Sequence, residues 1–190
     1  MKKRLQPFQQ YLEHDLPIAD EGSNSNLVET LFQIGLVVWR FNSIERALDQ
    51  AICAGINDRS DSMGLIVIHG MQYAQKVELY RRMCEDLHEA AGGTVPSFAG
   101  LIDALKAAST HRNLVVHADW TNSDAEGYTF TKVQIKNGGM MQEYAQLTVE
   151  SMEKVCDEMS TTFERLHAYL NERDELLSMP PSAGQPSPPQ

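Results

Sequence analysis

The chain is poor in several features that would narrow its class. Its 190 residues hold three cysteines, Cys53, Cys84 and Cys156. They are widely spaced, odd in number and contain no CxxC pair, which excludes a disulfide framework and the paired spacing of a zinc site. All three fall in amphipathic stretches and read as buried, reduced thiols. Long hydrophobic runs are absent: the run Gly35 to Trp39, for one, stops at Arg40, far short of the ~18–20 residues that cross a bilayer. No membrane span is expected. Positive charge is scarce, with 16 Lys and Arg against 26 Asp and Glu, a formal net charge of −10. That excludes nucleic-acid binding through bulk charge but not through a small basic cleft. There is no internal repeat, P-loop, GxGxxG, GxSxG or helix-turn-helix signal. The basic start Met1-Lys2-Lys3-Arg4 is followed by Gln6, Gln9, Gln10 and Glu13 where a secretory signal needs an apolar stretch, so a cytoplasmic protein is expected.

What is present is ordinary for one globular domain: 42% apolar and 22% charged residues. A chain of this size buries roughly 70% of its unfolded surface, enough for a core without metals or disulfides. Residues 1–26 are polar and lack a clear period, ending in a loop-like run, Glu21-Gly22-Ser23-Asn24-Ser25-Asn26, with helix-capping residues. The segment 178–190 contains five of the eight prolines and reads as a Pro-rich disordered tail.

Between them the periodicity predicts four long helices. The first covers about 27–56, with Leu27, Leu31, Ile34, Val38, Phe41, Leu48 and Ile52 on one face. The second covers about 65–91, with Ile66, Tyr73, Val77, Tyr80, Cys84 and Leu87, and ends at Gly92-Gly93. The third covers about 97–118, carried by Phe98, Leu101, Ile102, Leu105, Ala108, Val115 and Val116. The fourth covers about 149–177, with Met152, Cys156, Met159, Phe163, Leu166 and Leu170 in one stripe and Thr148 as N-cap. Between the last two, about 127–147, the period changes to that of strands around Asn137-Gly138-Gly139, a hairpin-turn signal. The fold class is therefore mainly α, a four-helix bundle with a small β-hairpin inserted before the last helix.

Two charged residues fall where the helical stripes ask for apolar ones. Glu45 lies four after Phe41 and three before Leu48; Arg112 lies four after Ala108 and three before Val115. A buried charge is costly unless paired, so these positions line a cleft or interface, compensate each other, or face water with the phase shifted by one. Arg112 opens the run Arg112-Asn113-Leu114-Val115-Val116-His117. Asn113 and His117 are i and i+4 on a helix, and the long Arg112 side chain can reach the same patch. Histidine moves protons near neutral pH, and arginine stabilises charge building on a phosphate. Chance pairs of Arg and His at this spacing number ~0.3 on this composition, but requiring Asn next to the Arg lowers the figure to ~0.01.

Arg112-Asn113-x-x-x-His117 near the end of a long helix resembles the R-x4–6-H motif of the HEPN domain superfamily, in which a polar residue, commonly Asn, often follows the Arg. The helical layout over 27–177 is similar too, although only the motif is specific. The resemblance implies a metal-independent endoribonuclease without a cofactor, possessing one cleft between two copies of the chain. His117 would act as general acid and base toward the ribose 2′-hydroxyl, and Arg112 would stabilise the scissile phosphate. Asn113 would orient His117 or contact phosphate, and Glu45 would position Arg112 from behind. The expected products are a 2′,3′-cyclic phosphate and a 5′-hydroxyl. Many such enzymes are toxins or anti-phage effectors, which implies an antitoxin or partner protein beside the RNA substrate. Some toxins continue H-x-Y; here His117-Ala118-Asp119-Trp120 lacks that tyrosine. Asp119 reads as a helix-end acid in solvent or as a further hydrogen-bonding neighbour of the cluster. The alternatives are a non-catalytic HEPN-like dimer that binds a nucleotide or a protein, and a plain bundle in which the three residues only tie helices together.

The remaining histidines offer no metal site: His14 and His167 lack partners at ligand spacing, His69 reads as structural, and His88 as solvent-facing. Trp39 and Trp120 read as packing residues, most of the nine methionines as core filler, and Met140-Met141 as a point of contact at the hairpin.

Overall fold

The computed structural model describes residues 1–8, 21–136 and 139–178. The chain is mainly helical, with five α-helices among the described residues and a small four-stranded antiparallel sheet. In chain order the elements are β1 (Lys3–Pro7), α1 (Glu21–Ile56), α2 (Asp61–Ile68), α3 (Tyr73–Ala91), a 3₁₀ turn (Pro96–Phe98), α4 (Leu101–His117), β2 (Asp119–Ser123), β3 (Tyr128–Lys136), β4 (Gly139–Gln146) and α5 (Val149–Ser178). It divides into two compact units, Met1–Ala47 with Asp103–Phe163, and Leu48–Ile102 with Glu164–Gln190.

The first unit holds the sheet, in the order β1-β4-β3-β2. The expected hairpin is present as β3 and β4, paired from Tyr128↔Gln146 to Lys136↔Gly139; Asn137 and Gly138 lie outside the described residues. Two further strands correct the sequence reading. β1 lies in the stretch taken as aperiodic, and β2 begins where the third helix was expected to run out. β1 alternates in burial, with Arg4 and Gln6 half-buried between exposed Lys3, Leu5 and Pro7, but its mostly polar residues carry no apolar period; as an edge strand it tolerates Pro7 at its end. A bulge between Phe130 and Lys132 reverses which face the following side chains take, and the Thr131 hydroxyl donates to the Glu143 carbonyl at 2.9 Å.

That register buries a carboxylate. Glu143 is 3% exposed, with Lys3 Nζ at 2.8 Å, Lys132 Nζ at 3.8 Å and the Gln134 amide donating to it. Burial alone would push this carboxyl up, but the Lys3 hydrogen bond and the Lys3 and Lys132 charges outweigh it and hold it below the usual range. β1 is thereby fastened to β4 by an ion pair as well as by its backbone ladder.

α5 starts where expected. The Thr148 hydroxyl accepts from the Ser151 amide at 3.3 Å and Ser151 Oγ accepts from the Thr148 amide at 3.0 Å, a reciprocal cap. The first unit's core is built from Val37, Phe41, Ile44, Leu105, Ala108, Val115, Phe130, Ala145, Leu147, Met152, Cys156 and Met159, all under one-tenth exposed. α1 begins at Glu21, six residues earlier than its apolar period suggests, so the loop-like run is its first turns. Its N-terminal half buries Thr30 and Val37 rather than Leu31.

In the second unit the expected second helix is broken. α2 ends at Ile68 and α3 starts at Tyr73, because Gly70 takes a left-handed φ of +76°. Ile66, placed on the core stripe by its spacing, is 66% exposed on α2. Gly64 is what brings α2 against α1: an added Cβ would stand 2.5 Å from Cys53 Cα. α3 ends as expected at Gly92, φ +71°, whose amide and that of Gly93 reach back to Glu89 and His88. A third left-handed glycine, Gly100, separates the 3₁₀ turn from α4, so the third helix starts four residues later than its period suggests. Cys53, Cys84 and Cys156 are all buried without disulfides, as the spacing implied.

His88 corrects another expectation. It is 7% exposed, stacked edge-on against Phe98 at 4.8 Å, and its Nε2 is 3.3 Å from the Tyr169 hydroxyl. Burial holds its pKa below the ordinary histidine value, against the opposing charge of Glu85. His69 is exposed and is the C-cap residue of α2; His14 and the Pro-rich segment 179–190 lie outside the described residues. No helix among the described residues is long and apolar enough to cross a membrane.

Candidate functional site

All five residues singled out by the sequence lie in the first unit. Arg112, Asn113 and His117 occupy the last two turns of α4. This helix turns its apolar face, Leu105, Ala108 and Val115, to the core, which leaves Arg112 at the margin of that face and half-buried. The Arg112 guanidinium lies over the Phe41 ring, 5.7 Å from its centroid, a cation–π arrangement. Its NH1 donates to Asn113 Oδ1 at 3.0 Å. Its Nε is buried and has no hydrogen-bond partner. Among the described residues no carboxylate pairs with it.

Asn113 and His117 are both exposed. The Asn113 carbonyl is committed to Arg112, and no hydrogen bond joins Asn113 to His117 among the described residues. The imidazole is thus open to solvent at the end of the helix, one turn beyond the arginine clamp. Glu45 is half-buried on α1, one turn along from Phe41, the ring beneath the guanidinium. Asp119 is not a helix-end residue, because it opens β2. Its Oδ1 accepts from the Thr121 amide at 3.2 Å and hydroxyl at 2.6 Å, a local turn contact that serves β2 and not the cluster.

The surrounding side chains fix the helix end. His111 Nδ1 stands 3.2 Å from Glu158 Oε2 on α5, and the Trp120 indole donates to the Val115 carbonyl at 3.0 Å. Trp120 is the packing residue expected; Trp39 is not, at 64% exposed.

Two contributors were not singled out from the sequence. Phe41 was read as core alone, yet its face carries the guanidinium. Arg40 on α1 is a second half-buried guanidinium whose Nε is buried without a partner, and its charge opposes the upward push that burial gives the Cys156 thiol. The signal for it was the charge that ends the apolar run Gly35 to Trp39. Arg40 and Arg112 thus each keep a buried Nε donor without a hydrogen-bond partner among the described residues.

Neither of two surface cavities includes these residues. One, of about 630 Å³, is bordered by Lys2, Glu29, Glu126 and Glu150 in the first unit, and the other, of about 790 Å³, by Tyr80, Met83, Leu87 and Arg173 in the second. No group of three His, Cys, Asp or Glu side chains among the described residues could hold a metal ion. No family model matches the chain, and neither a curated protein nor a solved structure does.

Proposed function

We propose that the chain is a metal-independent endoribonuclease of HEPN type, acting as a homodimer in the cytoplasm, with a toxin or anti-phage role. The fold that goes with this reading is a four-helix bundle with the β3–β4 hairpin ahead of the last helix. The observation that carries it is the arrangement on α4: a half-buried Arg112 held over Phe41 and by Asn113, with an unused Nε donor, beside a solvent-open His117. An arginine held this way recognises a phosphate with little further loss of side-chain freedom. His117 takes the proton of a ribose 2′-hydroxyl, whose oxygen attacks the adjacent phosphorus. The bond from phosphorus to the 5′-oxygen breaks, and that oxygen takes a proton from the imidazolium of the second copy. The products are a 2′,3′-cyclic phosphate and a 5′-hydroxyl. Arg112 stabilises the charge that builds on the phosphoryl oxygens, and Glu45 positions the Phe41–Arg112 pair.

The net charge of −10 favours a second reading, a HEPN-like dimer that binds a nucleotide or a protein partner without cleaving RNA. One experiment separates them: RNA cleavage in EDTA by the wild type, His117→Ala and Arg112→Ala, with folding checked by circular dichroism. Cleavage that leaves cyclic-phosphate ends and is lost in both variants supports the enzyme. Absence of cleavage across several RNA classes by the folded wild type leaves the binding reading.

A further inference from the structure

The N-terminal half of α1 carries its large apolar side chains on the outside. Val28 is 69% exposed, Leu31 56%, Phe32 70% and Trp39 64%. They are not scattered: Val28, Phe32, Gly35 and Trp39 follow one another at steps of four, three and four, the 3.5-residue period of a helix–helix seam. Isolated exposed apolar residues are normal on a protein surface, but a contiguous seam of this period is not.

Gly35 makes the case specific. A glycine inside a long helix costs about 1 kcal/mol relative to alanine, so it calls for a reason. None lies among the described residues: an added Cβ at Gly35 would meet no atom of theirs within 4 Å. At the middle of an apolar seam, the reason is close approach of a second backbone.

We propose that this face of α1 is the surface on which a second copy of the chain docks, the two α1 helices crossing antiparallel at Gly35. The occupant follows from the self-complementarity of the seam. A twofold axis at Gly35 sets glycine against glycine, where the two backbones approach, and turns Val28, Leu31 and Phe32 of one copy toward the Trp39 end of the other. The charges agree with that orientation: Glu29 flanks one end of the seam and Arg40 the other, so the antiparallel pair sets opposite charges side by side, whereas a parallel pair sets like beside like. The inference deepens the dimer reading of the preceding section and does not depend on ribonuclease activity.

The test uses the full chain. Sedimentation equilibrium of the wild type, Phe32→Glu and Gly35→Leu is expected to show a reversible dimer whose dissociation constant rises at least tenfold in each variant. The Trp39 emission should shift to the blue as the wild type associates. Gly35→Cys, oxidised gently, is expected to form a covalent dimer much faster than a control cysteine at exposed Leu177, since the three native cysteines are buried. Because the substituted positions are exposed, circular dichroism should be unchanged. A monomer at all concentrations up to tens of micromolar overturns both this surface and the dimer reading. A dimer unmoved by Phe32→Glu, with Gly35→Cys cross-linking no faster than the control, overturns this surface alone.

Discussion

Glu143→Gln isolates the buried ion pair that fastens β1 to the sheet. The substitution keeps the shape of the side chain and removes its charge. In the wild type the carboxylate is 4% exposed, but its two ammonium partners, Lys3 and Lys132, are 55% and 58% exposed. Removing one member of a fully buried pair costs about 3–5 kcal/mol, because a charge is stranded without water. Here both lysines can return to solvent, so the loss reduces to that of the charge-assisted hydrogen bonds, discounted for screening at the exposed partners, or about 1.5–2 kcal/mol. For a chain of this length the melting temperature falls by roughly 3–8 °C at pH 7.

The pH dependence supplies the control. The folded carboxyl is held below the ordinary value, whereas the unfolded one titrates near about 4.3. Its contribution is therefore complete above that pH and is lost as pH falls through the folded pKa. Thermal melts of wild type and variant, followed by circular dichroism from pH 7 downward, should show a gap that narrows below pH about 4.5. A gap that is absent at pH 7, or constant until the wild type unfolds in acid, refutes the assignment of this stability to the ionised carboxylate.

Arg112→Lys keeps the charge but loses the planar fork over Phe41, and cleavage is expected to fall about 10²-fold with unchanged circular dichroism; a rate equal to wild type would show that point charge alone suffices. Gly64→Ala would press its methyl group into Cys53 Cα and should destabilise the chain by about 1–3 kcal/mol in urea titration, despite the better helix propensity of alanine. A neutral or stabilised variant would mean that α2 can lift off α1 without loss. Gly92→Ala must hold a Cβ at φ +71°, and a loss of about 1 kcal/mol in the same assay is expected.

The amino-acid sequence by itself determined the features that depend on neighbours along the chain. The Thr148 cap, the glycine stop after α3, the β3–β4 hairpin and the length of α5 rest on local backbone chemistry, and each lies where its residues indicate. Arg112 with Asn113 was legible for the same reason, as was the end of α4 near His117. Tertiary structure decided the rest. β1 is a strand because β4 offers it a ladder and a buried Glu143 for Lys3, not because Lys3–Pro7 shows an apolar period. His88 reads as a polar residue on an outer face until Phe98 and Tyr169 cover it from distant parts of the chain. The 3.6-residue period could not say which side of α1 is inside, since the helix carries apolar residues on two faces; packing chose Val37, Phe41 and Ile44 and left Phe32 and Trp39 in solvent. Nor could spacing reveal that Phe41 supports Arg112, a contact between residues 71 positions apart that exists only once α1 and α4 pack together.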